Sequence, residues 1–387
     1  MEMKKYEENM IKWRRHLHEN PELPFHEYET SKYIEEELRK VGIEEFFKPT
    51  ETSLVARIKG GKPGLTVGLR ADIDALAVCE DRDDLDFASK ADGVMHACGH
   101  DAHAAMLMAA GQYIYEHKED LEGEVVLVFQ HAEELPPGGA IEIIESGALD
   151  DLDFIFGQHV SSLIPVGSVA LNYGRGSANS DRYHIIIKGK GAHASTPHFS
   201  VDPIIIGAAI VQLLQNIISR KMDPTRGRVI SNTSFHAGTE SYNVIPSTAE
   251  LEGSVRTFYD EDKELIKREI ENVVKSVCDL YGAEYEYEYE FGYVSIINDE
   301  KATGIIEKIV TEMEGVNIAP SPVGMGGEDF SYYSRKVPAT FVWTGTSSKG
   351  FDHPHHNPKF GIDEEGMITG LRLNIEVAMN YNKYFNL

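Results

Sequence analysis

The stretch EVVLVFQHAEE, residues 124–134, decides the architecture. Val125 to Phe129 form an unbroken apolar run of strand length, and such runs mark strands buried on both faces rather than on one. Shortly after it come two adjacent carboxylates, Glu133 and Glu134. Two acids this close repel each other unless a cation offsets them, and the carboxyl end of a buried strand is where open α/β sheets place their ligands.

Outward from that stretch, FIFGQHV at 154–160 is a second buried run and delivers His159 to its end. SLVARI (53–58) and LTVGLRADIDAL (65–76) read as strands, and AHAAMLMAAGQYIYEH (102–117) as a helix. The chain opens helically, with Ile11, Trp13, His16 and Leu17 on one mixed face. A second helix runs from about Thr30 to Lys40, with Thr30 or Ser31 as its cap and Gly42 where a left-handed residue closes a helix. Apolar strands alternating with helices predict an α/β fold with a parallel or mixed sheet covered on both faces.

Near Asn179 the pattern changes. DRYHIIIKGKGAHAS (181–195) is strand-like, PIIIGAAIVQLLQNIIS (203–219) is helical, and YEYEYE (285–290) suits a strand with one solvated face. The βαββαβ-like order makes a small α/β sandwich. After about Ser295 a helix, then MGGEDFSYY and PATFVWTGT, return to the first domain. The expected organisation is therefore a domain of residues 1–178 and 295–387 interrupted by an inserted domain of residues 179–294. Two chain crossings would let the insert rotate as a lid.

Bulk properties narrow the function. The 387 residues exceed what one core usually organises. No apolar run reaches the roughly 20 residues of a membrane-spanning helix, and the longest, around Pro203 to Leu214, reads as a buried helix. The polar start MEMKKYEENM lacks the apolar core of a secretory signal, so a cytoplasmic location is the default expectation. A formal net charge of −26 repels phosphate backbones and anionic lipid, which disfavours nucleic-acid and membrane partners. Three cysteines, Cys79, Cys98 and Cys278, do not make a disulfide framework. Cys79 and Cys278 read as small buried residues, whereas Cys98 has metal-binding company.

That company is MHACGHDAH, residues 95–103. Side chains two apart in an extended segment point the same way, so Cys98 and His100 can face one metal site. Asp101 is placed to cap the helix that follows, and His96 and His103 read as supporting residues. HPHHNPKF near the C-terminus offers His353, His355 and His356. Cys, His and Glu candidates thus come from four places in the chain.

WRRHLHENPEL, GLRADIDAL, MHACGHDAH, FQHAEELPPGGA, GQHV, GKGAHASTPH, NVIP and GGEDFSYY occur in that order. This series resembles the aminoacylase and hippurate hydrolase branch of the dimetal metallopeptidases, relatives of the auxin-conjugate hydrolases and carboxypeptidase G. The resemblance implies a mixed-sheet catalytic domain carrying a lid or dimerisation domain. It implies that Cys98, His100, Glu134, His159 and His356 hold two divalent metal ions, with His356 selected because it precedes Asn-Pro. Glu133 would be the general base, Asp72 would support the metal site, and Cys98 would replace a bridging carboxylate. His193 would stabilise the oxyanion, in relatives across a dimer. Asn243, Arg256, Gly326 and Gly327 would hold the substrate carboxylate. The chain departs from the branch at His131, which replaces a proline, and at Leu135-Pro136-Pro137, which replaces a glycine-rich stretch.

The chemistry suits such residues. Metal ions polarise an amide carbonyl and lower the pKa of water, while a neighbouring carboxylate carries the proton. Thiolate and imidazole ligands point to zinc, cobalt or nickel, and the carboxylate keeps manganese open, zinc and manganese being the first choices. The expected reaction is hydrolysis of N-acyl, foremost N-acetyl, amino acids by a homodimer or higher homo-oligomer. The alternatives are a dipeptidase or carboxypeptidase with the same centre, a non-catalytic binding protein on the same fold, and a one-metal site.

Overall fold

Alternation within a single strand sets the layering. In the computed structural model, which describes residues 3–82, 84–321 and 324–385, the strand Glu122–Gln130 is fully buried from Val125 onward. Successive side chains of a strand point to opposite faces. Val125, Leu127 and Phe129 accordingly enter one hydrophobic cluster, and Val126 and Val128 enter another. The first cluster is shared with helices Lys4–Glu19, Tyr28–Val41, His100–Glu116, Glu300–Glu312 and Glu364–Phe385. The second is shared with Ala140–Glu145 and Phe330–Lys336. Each buried Val, Leu or Phe contributes about 1.5–3 kcal/mol, so the continuous apolar run holds both helical layers to the sheet.

The sheet is mixed. Four neighbouring strands, Glu122–Gln130, Lys62–Asp72, Phe154–Pro165 and Ala339–Ser347, run parallel in that order. Leu54–Lys59 adds antiparallel to the first, with Phe46–Phe47 outside it. Ser168–Ala170 adds antiparallel to the last, with Asn317–Ala319 outside it. Asp72 lies opposite Gln130, and Val67 opposite Phe154. The registers therefore set Asp72 and the loop after Gln130, at the ends of their strands, level with His159, which lies midway along Phe154–Pro165 rather than at its end as the sequence suggested.

Helix starts differ from the local expectation. His100–Glu116 begins after Gly99, whose φ of 87° is a left-handed conformation that favours glycine. Asp101 is therefore not its cap but lies inside the first turn. There its Oδ2 accepts from Arg14 at 2.9 Å and pairs with His18 at 2.8 Å, all three being buried. Tyr28–Val41 has Glu27 rather than Thr30 or Ser31 at its cap position, and the Glu22 carboxylate accepts from the Glu29 and Thr30 amides at 3.3 and 2.7 Å. Gly42 closes that helix in the left-handed region, as its position suggests. Cys79, expected to be buried, is exposed, while Cys278 is buried.

The chain divides into two compact units, Met1–Gly176 with Ile296–Val323 and Asp329–Leu387, and Ser177–Ser295 with Gly324–Glu328. The five residues Gly324–Glu328, assigned from sequence to the larger domain, belong to the smaller unit. That unit is an antiparallel sheet in the order Arg228–Ala237, Thr248–Thr257, Asn179–Lys188, Glu284–Glu290, with helices Pro203–Asn216 and Asp260–Tyr281. Ile185, Ile187, Leu251, Ile206, Ile210, Ile266 and Ile270 form its core. Tyr285, Tyr287 and Tyr289 pack against that core while the intervening glutamates are exposed. The helix from Pro203 is only one-sided: Ile206, Ile210 and Leu214 are buried, but Ile204, Ile205 and Leu213 are exposed. Among the described residues, Pro203–Lys221 is long and apolar enough to cross a bilayer, yet its inner face is committed to this sheet.

Candidate metal centre

Asp74, just beyond the end of strand Lys62–Asp72, organises the centre. Its Oδ1 lies 3.0 Å from His100 Nδ1, and its Oδ2 accepts from the Glu134 amide at 2.9 Å. His100 is thereby turned so that Nε2, buried and without a hydrogen-bond partner among the described residues, faces Glu134 Oε1 at 3.9 Å. Glu134 Oε1 is buried, makes no geometric hydrogen bond among the described residues, and forms an ion pair with His356 Nε2 at 3.2 Å. His159 gives Nδ1 to the Val160 carbonyl at 2.7 Å and directs Nε2 to Cys98 Sγ at 3.4 Å. His356 arrives from far along the chain because its amide binds the carbonyl of Ala97, next to Cys98, at 2.8 Å.

Two donor sets result, Cys98 with His100 and His159, and Cys98 with Glu134 and His356, each within 4.8 Å. Cys98 belongs to both. Glu133, 7% exposed, forms a further set with His100 and Glu134. The electrostatics favour positive charge. Burial opposes a charge on His100, yet Asp72, Asp74 and Glu134 outweigh it and push the imidazole up to about 10. Burial, with the charges of Glu134, Glu133 and Asp72, pushes the Cys98 thiol well up. A divalent cation would reverse that balance and make the thiolate the stable form, so a His100 nitrogen without a hydrogen bond, a shared thiol and surplus carboxylate fit a metal pair.

The other histidines sort themselves by their partners. His103 Nδ1 meets Asp72 Oδ1 at 2.5 Å and its Nε2 accepts from the Val160 amide at 2.9 Å, so neither nitrogen is left for a metal. His96 is 2% exposed, with both ring nitrogens lacking hydrogen bonds among the described residues, and burial lowers it to about 4. His355 stacks on Trp343 beside His159, and burial lowers it to about 4 as well. Asp74 is the residue missed from sequence. It stands two beyond Asp72, and the same two-apart logic that groups Cys98 with His100 would have pointed to it.

Asp72 sits in a buried network rather than alone. Arg70 donates to Asp72 at 2.6 Å, to Asp329 at 2.9 Å and to Gln130 at 2.9 Å, and Gln130 donates to Asp329 at 2.8 Å. Burial would raise the Asp72 carboxyl, but His100, Arg70 and His103 hold it well below the usual range. Arg70→Met is expected to destabilise the protein by about 3–5 kcal/mol in chemical denaturation, because it strands two buried carboxylates. A change under about 1 kcal/mol would show that the network relaxes without its cation.

The remaining candidates lie in the smaller unit. His193, in the short strand Ala192–His193, is exposed, and its Nδ1 accepts from the Ser195 amide at 3.1 Å. The proton therefore belongs on Nε2. Asn243 is exposed, and its carbonyl accepts from the Ala194 amide at 2.9 Å. Arg256 is half-buried and donates to Ser254 Oγ at 3.1 Å; burial lowers its pKa against the charge of Asp181. A Cβ on Gly327 would lie 3.0 Å from Ser180 and 3.5 Å from Arg256, so a side chain there would crowd the guanidinium. Gly326 has open space and binds the Ala178 amide through its carbonyl at 2.9 Å.

Known proteins resemble this chain over nearly its whole length. Residues 68–380 match the model of peptidase family M20/M25/M40. The chain is 40% identical over 386 residues to thermostable carboxypeptidase 2 of Saccharolobus solfataricus, covering 98% of this chain and 97% of that protein. It is 39% identical over 380 residues to an N-acetylcysteine deacetylase of Bacillus subtilis, covering 97% of each. A solved Bacillus subtilis structure described as a dinuclear metal binding peptidase superimposes with a TM-score of 0.85 at 35% identity, covering 98% of this chain and 99% of that one. A mixed α/β sheet that gathers thiol, imidazole and carboxylate donors at its carboxyl ends, with relatives of this identity over nearly the whole length, places the chain in the M20/M25/M40 peptidase family, whose named members here are hydrolases.

Proposed function

We propose that the protein hydrolyses the amide bond of N-acyl amino acids, N-acetyl derivatives foremost, with two divalent cations held by Cys98, His100, Glu134, His159 and His356. The carrying observation is that Cys98 is common to two ligand sets beside Glu133. When bound, a cation pair makes water a competent nucleophile at neutral pH and polarises the amide carbonyl. Glu133 takes the water's proton and delivers it to the leaving amine nitrogen. His193 offers its Nε2 proton to the developing oxyanion, and Arg256, Asn243 and the Gly326-Gly327 backbone bind the substrate carboxylate. Asp74 holds His100 and Glu134 in register, while Asp72 and Arg70 hold the strand end beneath them.

Thiolate and imidazole donors favour zinc, the carboxylate admits manganese, and cobalt or nickel can substitute. The working form is a homodimer or higher homo-oligomer, supported by the exposed Ile204, Ile205 and Leu213 and by the sheet edge at Arg228–Ala237. Light scattering tests this, and a monomer at assay concentration would refute it.

The test of the reaction is amine release from N-acetyl-, N-benzoyl- and dipeptide substrates by chelator-stripped protein refilled with each metal. Metal-restored hydrolysis of N-acetyl substrates is expected. A second reading, carboxypeptidase or dipeptidase, has the support of the 40% identical carboxypeptidase. Much faster dipeptide cleavage would select it, and no turnover with any metal would reject both.

A further inference from the structure

Glu133 stands between two tethers. The amide of Glu134 is held by Asp74 Oδ2 at 2.9 Å, and the amide of Ala132 by Glu27 Oε1 at 2.7 Å. Glu27 reaches this loop from 105 positions earlier in the chain and is itself 0% exposed. The same Oε1 accepts from the Phe25 amide at 3.1 Å. Both residues whose amides it binds adopt left-handed backbone, Phe25 at φ 65° and Ala132 at φ 52°. Such conformations are unfavourable for side-chain-bearing residues and persist only where surrounding contacts enforce them. Phe25 adds an edge-to-face contact with His131 at 5.5 Å.

From this geometry we propose that Glu27 is a positioning residue for catalysis: its buried carboxyl oxygen holds the Ala132 amide and so fixes where Glu133 points. The inference rests on the reading of Glu133 as the base. A carboxyl kept merely to fill space is a poor choice there, since burial, then the charge of Asp74, pushes it up to about 8. What the loop uses is an acceptor oxygen. Because Asp74 separately secures Glu134, loss of the Glu27 tether should disturb the base more than the ligand set.

The test compares Glu27→Gln, which keeps an acceptor oxygen at the same reach, with Glu27→Leu, which has none. Glu27→Asp serves as a second probe, retaining the carboxyl but withdrawing it by one methylene. Glu27→Leu and Glu27→Asp are expected to lower kcat about 10–100-fold, as misplacement by an ångström does, with KM within about threefold and metal content unchanged. Amide hydrogen exchange across residues 131–134 should accelerate in both. Glu27→Gln should stay within about threefold of the parent in kcat and keep the loop's protection. The proposal is overturned if Glu27→Asp exchanges like the parent at 131–134, or if Glu27→Gln loses rate as fully as Glu27→Asp. Should the parent hydrolyse no acyl substrate, the reading of the reaction fails, whereas the exchange measurement still decides whether Glu27 fixes the loop.

Discussion

Glu133→Gln is expected to reduce kcat by about 10²–10⁴-fold, the usual worth of a positioned acid–base group, while the protein keeps its divalent metal. The substitution preserves size and hydrogen-bonding reach at a site only 7% exposed, so it removes proton transfer and little else. Metal retention is the informative half. Glu133 lies within 4.8 Å of His100 and Glu134 ligand atoms, close enough that it could itself bind a cation. If metal content falls with activity, Glu133 is a ligand and the base must be sought elsewhere. If activity survives with metal bound, the proton has another carrier. Loss of turnover with unchanged metal separates the neighbouring acids into base and ligand.

The layering and most of the centre were legible because they depend on local pattern. Val125 to Phe129 announced a strand buried on both faces, and its odd and even residues do enter two different clusters. Cys98 and His100 follow a two-apart rule, Glu134 follows a strand and His159 lies within one, so parallel registers suffice to gather them. His356 needed the family resemblance, since nothing in HPHHNPKF itself distinguishes it from His355. The structure brings His356 to Glu134 and stacks His355 on Trp343.

What escaped the sequence depends on distant partners. Asp101 has the residue type and place of a helix cap, but a buried Arg14 and His18 offer its carboxylate a stronger, charge-assisted site inside the first turn. Glu27 looked like one acid among many until the fold carried it to Ala132. Arg70 lies two residues before Asp72, but its second carboxylate partner, Asp329, is 259 positions away. Short-range rules see neither the competing ion pair nor the missing backbone acceptor. Gly324–Glu328 joined the smaller unit for a similar reason: the Gly326 carbonyl takes the Ala178 amide, a pairing no composition shift announces.

Cys98→Ala is expected to lower metal occupancy and rate together, by at least about tenfold each at limiting metal. The argument rests on donor counts. Without the thiolate, one set is reduced to His100 and His159 and the other to Glu134 and His356. Each then falls below the three protein ligands usual for a catalytic zinc. Metal-linked stabilisation should shrink as well, since a bound ligand stabilises the fold logarithmically with the ratio of its concentration to its dissociation constant, an amount that falls as that constant rises. Cys98→Asp supplies the decisive contrast. A carboxylate can still bridge two cations but is a harder donor, so it should recover occupancy with manganese better than with zinc. A shift of metal preference in that direction means that the bridging position, and not the thiol as such, is what the centre requires. An unchanged metal count in Cys98→Ala would take the cysteine out of both sets and leave the pair of cations without a shared ligand.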